Sequence, residues 1–344
     1  MALWPARWHS WLVSSSPAPA SLASPADDPT SGRGHSPPGS SAAATPSPPA
    51  RLFPRVLFST LSPSPGETVA ALVRVPAPSS PVGALHQAIM ARKQQLVKLT
   101  TVGRGGVAHR LPACPTSEPR VWRAHVPTTA ADSGARIPLK VEICDGRHRP
   151  LIMQLQVTEK SFLAEDVRLP PGKASTEEAT PVETAKVTLA VSSSSSRQRW
   201  DGPFCRPSHG AITTSYGVRR RFNGKLLVAD YFHGGLDYGA SAGSPVVAPA
   251  GGRICLVGSE AAGFRVHGNC VALDHGHGVV SLLMHLESVA VRPGQCVSQG
   301  AMIGTVGSSG RSTGAHLHWG LFVHGSNVDP EPWMAPSPQQ IWEW

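Results

Sequence analysis

Apolar and polar side chains alternate most clearly in the stretch 313–330, TGAHLHWGLFVHGSNVDP. Its apolar positions fall on every second residue, and they are Leu317, Trp319, Leu321 and Val323. A period of two predicts a β-strand that turns one face towards a core. His316 and His318 occupy intervening positions, so the predicted strand directs both imidazoles to one face, about 7 Å apart.

Short apolar runs bounded by glycine recur throughout residues 201–335, almost without helical periodicity. Such runs predict strands joined by tight turns. We therefore predict that 201–335 is an antiparallel β-barrel-sandwich with a groove across one sheet, followed by a short tail at 336–344.

The preceding region, 51–170, contains alternating or β-branched runs such as ETVAALVRV and RVWRAHVP, broken by Pro, Gly and Asp. Strands at this spacing predict a small β-sandwich-like accessory domain. Residues 85–99 have helical composition and predict a helix inserted between strands. Residues 171–200 are acidic and serine-rich and predict a linker, with a short helix within 177–189 as the alternative. The chain is thus predicted to be mainly β.

Residues 1–50 are rich in Ser, Ala and Pro, and Asp27 and Asp28 are their only acids. This composition is typical of an organelle transit peptide, and no apolar run is long enough for a secretion signal. We expect a disordered leader that directs the chain to a plastid or another organelle. The alternatives are a leader without a targeting role and an extracytoplasmic protein.

The formal net charge of the 344 residues is +9. From Asp201 onwards nine Lys and Arg balance nine Asp and Glu, so the basic excess lies in the N-terminal part. The domain with the candidate chemistry therefore shows no basic groove for nucleic acid. No stretch approaches the length of a membrane span. The six cysteines form no CxxC pair and are interpreted as structural thiols, although disulfides stay open.

The candidate chemistry consists of histidines and one carboxylate. His233 and Asp237 lie four residues apart in the segment HGGLD, whose two glycines let the backbone bend. His285 follows Met284 at the end of another apolar run. His233, Asp237 and one histidine of the 316/318 pair make a three-ligand set for zinc, and such sets leave a fourth position for water.

These motifs, in this order, resemble the lysostaphin-type zinc endopeptidases, which cut peptide bonds in bacterial peptidoglycan. The resemblance covers about 203–333 and includes HGGLD, MHL, GAHLHWG and the segment 291–314. It implies that His233, Asp237 and His318 hold Zn²⁺. It also implies that His285 and His316 act beside the bound water, one as proton acceptor and the other as stabiliser of the oxyanion, in an order left open.

The chain departs from the family pattern at Leu283, where the family often has Tyr, and at Ala315 and Gly320, where Pro and Glu are usual. We expect these changes to affect rate or substrate shape. Five further histidines complete no ligand set and are interpreted as surface or turn residues: His209, His267, His275, His277 and His324. Arg219, Arg220 and Arg221 either grip a substrate carboxylate or have a solvated or packing role.

Three functions remain open on the sequence. The first is a zinc endopeptidase acting on peptidoglycan stem peptides or cross-links. The second is a metal-free protein that binds the wall or activates an amidase, which is disfavoured because all five candidate residues are present. The third is a zinc peptidase with another organellar peptide substrate. The oligomeric state is open.

The leader supplies the first testable prediction. A fluorescent protein fused behind residues 1–60 should enter a plastid or a related organelle, because the segment is acid-poor and rich in Ser, Ala and Pro. Microscopy of the fusion, beside the same fluorescent protein alone, is the measurement. A uniform cytosolic signal, or secretion, would contradict the targeting role.

Overall fold

A computed structural model describes most of the chain between residues 54 and 335. The described residues are 9–12, 54–92, 96–102, 108–170, 179–193, 195–222, 224 and 231–335. Most of the predicted leader and the tail 336–344 lie outside them. Within the leader, His9–Leu12 forms a strand, where the sequence predicted no regular structure. Among the described helices, none combines the length and the apolar character that a membrane crossing needs.

Nine antiparallel strands build the N-terminal domain. In chain order they are β1 (His9–Leu12), β2 (Arg55–Phe58), β3 (Thr68–Arg74), β4 (Val97–Val102), β5 (Ala108–Pro112), β6 (Cys114–Pro115), β7 (Val121–Pro127), β8 (Arg136–Ile143) and β9 (Leu151–Gln156). One sheet has the order β1-β2-β3-β7-β6 and the other β5-β4-β8-β9. Both sheets contribute to one core, in which Phe58, Val69, Leu99 and Leu139 are fully buried. Two antiparallel sheets around a shared core confirm the predicted β-sandwich-like domain.

The predicted helix at 85–99 is shifted in the structure. Helix α1 spans Pro81–Arg92, and β4 already begins at Val97. Val97 and Leu99 are buried and β4 pairs with β8, so burial in the sandwich core decides their conformation against helical composition.

Twelve further strands and two helices complete the chain. They are β10 (Ala164–Val167), α2 (Pro181–Val191), β11 (Ala211–Thr214), β12 (Arg219–Phe222), β13 (Leu236–Gly239), β14 (Pro245–Val247), β15 (Gly252–Gly258), β16 (Asn269–Gly276), β17 (Val279–Val289), β18 (Cys296–Val297), β19 (Met302–Val306), β20 (His316–Val323), β21 (Ser326–Val328) and α3 (Glu331–Met334). Short 3₁₀ turns lie at Ala130–Asp132 and Glu260–Ala262.

Ten of these strands form the sheet of the C-terminal domain. Its main path is β11-β13-β20-β17-β16-β15-β18, with β19 on β17, β14 on β19 and β21 on β20. Leu236, Leu317 and Trp319 are fully buried in its core. The antiparallel sandwich-like architecture confirms the predicted fold class, although the sheet does not close into a barrel within the described residues.

The segment predicted as a linker, 171–200, contains the docked helix α2. Thr180 and Glu183 form a capping box at its start, with Pro181 in the first turn. Val187, Ala190 and Val191 are buried against the C-terminal sheet. Helix α2 is therefore part of the C-terminal domain, because the burial of three apolar side chains holds it on the sheet.

The two domains share a polar junction. β10 follows the N-terminal sandwich in the chain and pairs in parallel with β12. The Tyr216 hydroxyl accepts a hydrogen bond from the Ala130 N–H and donates one to the Asn327 carbonyl, each at 3.0 Å. The Asp329 N–H donates to the Gly66 carbonyl at 2.9 Å. The N-terminal domain is thus fixed directly against the C-terminal sheet.

Histidines from both domains are buried at this junction. His125 of β7 lies among Trp200, His277 and Trp333, with ring centroids 5.8 to 6.3 Å away. Neither ring nitrogen of His125 has a hydrogen-bond partner in the described part of the chain. Burial lowers its pKa well below the ordinary value, and the nearby His277, Arg123 and His324 lower it further. His125 is therefore neutral at physiological pH.

We predict that this junction loses stability on acidification. Burial lowers the pKa of His277 and of His324 from 6.5 to about 4. The unfolded chain takes up these protons first, so the stability is fully present above pH 6.5 and is lost as the pH falls towards about 4. Each such histidine contributes on the order of 3 kcal/mol to this dependence.

The measurement is the melting temperature of the metal-free protein at a series of pH values across this window. His125→Phe should reduce the acid-induced loss, because it removes one proton-binding site and keeps an aromatic ring beside Trp200. His209→Phe, at an exposed histidine, is the control. Identical pH slopes for His125→Phe and the wild type would contradict the prediction.

Candidate metal centre and active-site cleft

Three buried side chains converge where β13 meets β20. Asp237 of β13 lies opposite His318 of β20 in the antiparallel register. His233 precedes β13, and its Nε2 lies 3.0 Å from Asp237 Oδ1 and 3.0 Å from His318 Nδ1. His318 Nδ1 lies 2.8 Å from Asp237 Oδ1. Among the described residues, these three form the one group of potential ligands whose atoms all lie within 4.8 Å of one another.

The backbone between His233 and Asp237 approaches β20 too closely for a side chain. A Cβ on Gly235 would lie 2.2 Å from the Trp319 carbonyl oxygen and 2.9 Å from His318 Nε2. Glycine at this position therefore lets the segment lie flat on β20 and brings both ends of HGGLD to His318.

The donor set fits a zinc ion. His233 Nδ1 lies 2.8 Å from the Ser215 carbonyl oxygen, so Nδ1–H donates and the Nε2 lone pair faces Asp237 and His318. Tetrahedral zinc with ligand distances of 2.0–2.2 Å separates its ligand atoms by about 3.3 Å. The observed separations of 2.8 to 3.0 Å need shifts of only a few tenths of an ångström. Two imidazoles and one carboxylate leave a fourth position open, as in catalytic zinc sites.

The protonation states suit metal binding. Burial raises the pKa of Asp237, but the close contacts with His233 and His318 outweigh it and hold the pKa well below its usual range. Burial lowers the pKa of His318 to about 4, against the opposing effect of Asp237. At neutral pH the site thus offers an ionised carboxylate and a neutral His318 imidazole, the forms that bind metal.

His285 and His316 stand beside this group. Their ring centroids lie 4.8 Å apart, and His316 Nε2 lies 3.9 Å from Asp237 Oδ1. His285 Nδ1 lies 2.8 Å from the Ser309 carbonyl oxygen, and His316 Nδ1 lies 2.9 Å from the Gly314 carbonyl oxygen. In each ring Nδ1–H is therefore the donor to backbone, which leaves Nε2 as the basic nitrogen.

The backbone at His285 is in the left-handed region, with φ 63°. Non-glycine residues adopt this conformation at a cost, and they do so most often at functional sites. The His285 N–H donates to the His267 carbonyl at 3.2 Å, which helps to hold this conformation.

All five predicted site residues line one cleft with a volume of about 620 Å³. Four glycines line the cleft: Gly234, Gly239, Gly314 and Gly320. Thr213 and Thr214 of β11, at an end of the main path of the sheet, form one wall. β10 and the residues that follow it contribute Glu165, Val167 and Leu169 to the lining.

The sequence analysis missed the role of Glu183. This fully buried carboxylate accepts hydrogen bonds from the backbone N–H groups of Arg265, Val266 and His267 at 2.7 to 3.0 Å. Burial raises its pKa, but hydrogen bonds from His267 and Arg265 outweigh this and lower it to about 2. Glu183 thus fixes the loop that places His267 in the cleft wall. The Thr-x-x-Glu pattern at 180–183 was the available signal, and such a pattern by itself indicates only a helix cap.

The other histidines differ from the surface interpretation in part. His209 is exposed, and His277 and His324 lie in turns. His275 is fully buried, with its nitrogens 2.8 Å from the Gly251 carbonyl oxygen and 2.9 Å from Ser281 Oγ, so the surface interpretation is wrong for this residue. The side chain of His275 is buried in the core. The sequence segment GNCVALDHG does not by itself indicate this burial.

The arginine run 219–221 has a packing role in part. Arg220 Nη2 contacts Asp237 Oδ2 at 2.6 Å, and Arg220 Nε contacts Glu165 Oε1 at 2.7 Å. Arg219 stacks over the Phe232 ring, 5.3 Å from its centroid.

Leu283, where the family often has Tyr, is fully buried in the hydrophobic core of the C-terminal domain.

The fold and the site define a mainly β protein with a candidate His-Asp-His metal site in a sheet-based cleft. Residues 231–330 match the model of Peptidase family M23. The resemblance of the C-terminal domain to lysostaphin-type peptidases is thereby confirmed.

Relatives and solved structures agree with this family. The chain is 40% identical over 128 residues to the DD-carboxypeptidase/endopeptidase Mpg of Neisseria meningitidis, a match that covers 37% of this chain and 28% of Mpg. It is 34% identical over 109 residues to the peptidoglycan DD-endopeptidase ShyC of Vibrio cholerae, covering 32% of this chain and 24% of ShyC. The chain thus spans about a quarter of the length of these curated relatives.

A crystal structure of an M23 peptidase from Pseudomonas aeruginosa has a TM-score of 0.53 and 23% identity to this chain. The match covers 80% of this chain and 96% of that structure. At this identity the likeness concerns the fold, and its extent shows that the shared architecture goes beyond the C-terminal domain.

Proposed function

We propose that this protein is a zinc-dependent endopeptidase that hydrolyses peptide bonds in peptidoglycan stem peptides or cross-links. The observation that carries the proposal is the convergence of His233, Asp237 and His318 at 2.8 to 3.0 Å, beside His285 and His316 in one cleft. The relatives named as peptidoglycan DD-endopeptidases support the substrate class.

His233 Nε2, Asp237 Oδ1 and His318 Nδ1 are the atoms that would hold zinc. When bound, zinc acts as a Lewis acid on the scissile carbonyl and lowers the pKa of a bound water. The protein's own contribution is rigidity, because the Ser215 carbonyl fixes the His233 ring and strand pairing fixes Asp237 opposite His318.

His285 and His316 supply the proton transfers that peptide hydrolysis requires. The attacking water must lose a proton, and the leaving amine must gain one. Both rings donate Nδ1–H to backbone carbonyls, so each keeps Nε2 available for the reacting groups. One histidine would accept the proton of the water at Nε2 and pass it to the leaving amine. The other would hydrogen-bond the developing oxyanion through Nε2–H, which requires its ring to be protonated.

The shape of the cleft favours an extended peptide with small side chains. β11 offers backbone groups along the cleft wall, and an extended peptide can pair with such an edge. Gly239 and Gly314 line the cleft without side chains, which leaves room for the peptide backbone. Cell-wall cross-links contain small residues such as Ala or Gly, which suit this lining.

The metal and proton-transfer roles predict two distinct phenotypes. His233→Ala, Asp237→Ala and His318→Ala should each lose bound zinc, because each removes one of three protein ligands. His285→Ala and His316→Ala should keep zinc and fold but lower kcat by about 10²-fold or more. Metal analysis, melting temperature and turnover of the purified variants are the measurements.

His209→Ala, at an exposed histidine, is the control and should behave like the wild type. Full zinc occupancy in all three ligand variants would refute the metal assignment. Wild-type turnover in His285→Ala or His316→Ala would identify that histidine as a bystander.

The substrate class predicts how the enzyme degrades isolated cell walls. Zinc-loaded protein incubated with purified sacculi should release peptide-linked fragments whose cross-links are opened, with the sugar chains intact. Mass spectrometry of the separated products is the measurement, and Asp237→Asn is the inactive control. An enzyme that cuts casein but leaves sacculi untouched would show that the substrate is another peptide, as expected of an organellar peptidase.

A further inference from the structure

A contact between two neighbouring strands reaches the metal centre. β10 follows the N-terminal sandwich in the chain and pairs in parallel with β12, in a register that places Glu165 beside Arg220. The Glu165 carboxylate binds Arg220 Nε at 2.7 Å, and Arg220 Nη2 binds Asp237 Oδ2 at 2.6 Å. Three side chains from three strands thus form one chain of charge-assisted hydrogen bonds.

The Asp237 carboxylate uses its two oxygens differently. Oδ1 faces His233 and His318, whereas Oδ2 is bound by Arg220. A carboxylate held at one oxygen cannot rotate freely, so Arg220 keeps Oδ1 directed towards the two histidines. The side chain of Asp237 is 5% exposed and that of Arg220 is 15% exposed, so water screens this contact weakly.

The Arg220 cation alone would oppose binding of a dication nearby. Two positive charges a few ångströms apart repel each other strongly when partly buried. Glu165 supplies the compensating negative charge and makes the Arg220–Glu165 pair neutral as a unit. It also fixes the guanidinium through Nε, which leaves Nη2 for Asp237.

We infer that Glu165 of β10 is a positioning residue of the metal centre, acting through Arg220 on Asp237. The inference rests on the proposed zinc-dependent function. It assigns the strand that follows the N-terminal sandwich a direct part in metal affinity, in addition to its pairing with β12.

The alternative is a salt bridge that only joins β10 to β12. The two interpretations predict different zinc affinities for variants of Glu165. If the contact is purely structural, loss of the Glu165 charge leaves the zinc affinity of the folded protein unchanged. The adjacent Asp166 provides a matched control, because it is an acid on the same strand and its Oδ1 accepts from the Gly224 N–H at 2.9 Å.

The experiment measures the zinc dissociation constant of the full-length protein by competition with a chromophoric chelator. Glu165→Gln keeps the shape of the side chain and removes its charge, and it should weaken zinc binding by about 10-fold or more, within the usual range for outer hydrogen-bond partners of a ligand. Asp166→Asn should bind zinc like the wild type. Melting of the metal-free proteins should show similar stability for both variants.

Glu165→Asp keeps the charge with a shorter side chain and should restore most of the affinity, which also tests the inference should Glu165→Gln not fold. Wild-type affinity in Glu165→Gln, or an equal loss in Asp166→Asn, would overturn the inference while the zinc site stands. A wild-type protein that binds no zinc would overturn the proposed function itself.

Discussion

The cleft depends on one buried anion, the carboxylate of Asp237. Removing a carboxylate from water costs several kcal/mol unless donors replace the lost solvation. His233 and His318 meet Oδ1, and Arg220 meets Oδ2. Each of these partners comes from a different segment, so their convergence on the carboxylate requires that β12, β13 and β20 lie in their observed places. The same requirement assembles the candidate metal-binding group.

A second buried carboxylate organises the rim of the cleft. Glu183 closes the capping box of α2 and also accepts three consecutive backbone N–H groups at 265–267. Each hydrogen bond to a charged acceptor stabilises by about 1.5–3 kcal/mol. The loop that carries His267 is therefore tied to the helix that precedes the C-terminal sheet. The segment between the domains thereby acquires a structural role next to the proposed chemistry.

The N-terminal domain packs against this arrangement. It buries His125 against aromatic side chains of the C-terminal domain. Buried neutral histidines and the Tyr216 hydrogen bonds make the junction specific. The strand that follows the sandwich, β10, brings Glu165 and Val167 to the cleft lining.

Much of the site could be predicted from the sequence because its determinants are local. The strand periodicity of 313–330 directed His316 and His318 to one face, and HGGLD placed His233 and Asp237 within one bend. The family resemblance then chose His318 over His316 as the ligand, and His318 is the histidine that lies 2.8 Å from Asp237. The mainly β fold class followed from glycine-bounded apolar runs in the same way.

Tertiary structure alone decided the partners that lie far apart in sequence. Glu165 and Arg220 are 55 residues apart, and Glu183 and His267 are 84 residues apart. The hydrophobic periodicity around these residues does not indicate either contact. The contacts arise from the pairing of β10 with β12 and from the docking of α2. The burial of His125 and His275 has the same origin. Whether a histidine lies in a strand depends on the residues next to it in the chain. Whether that histidine is buried depends on how whole sheets pack against each other.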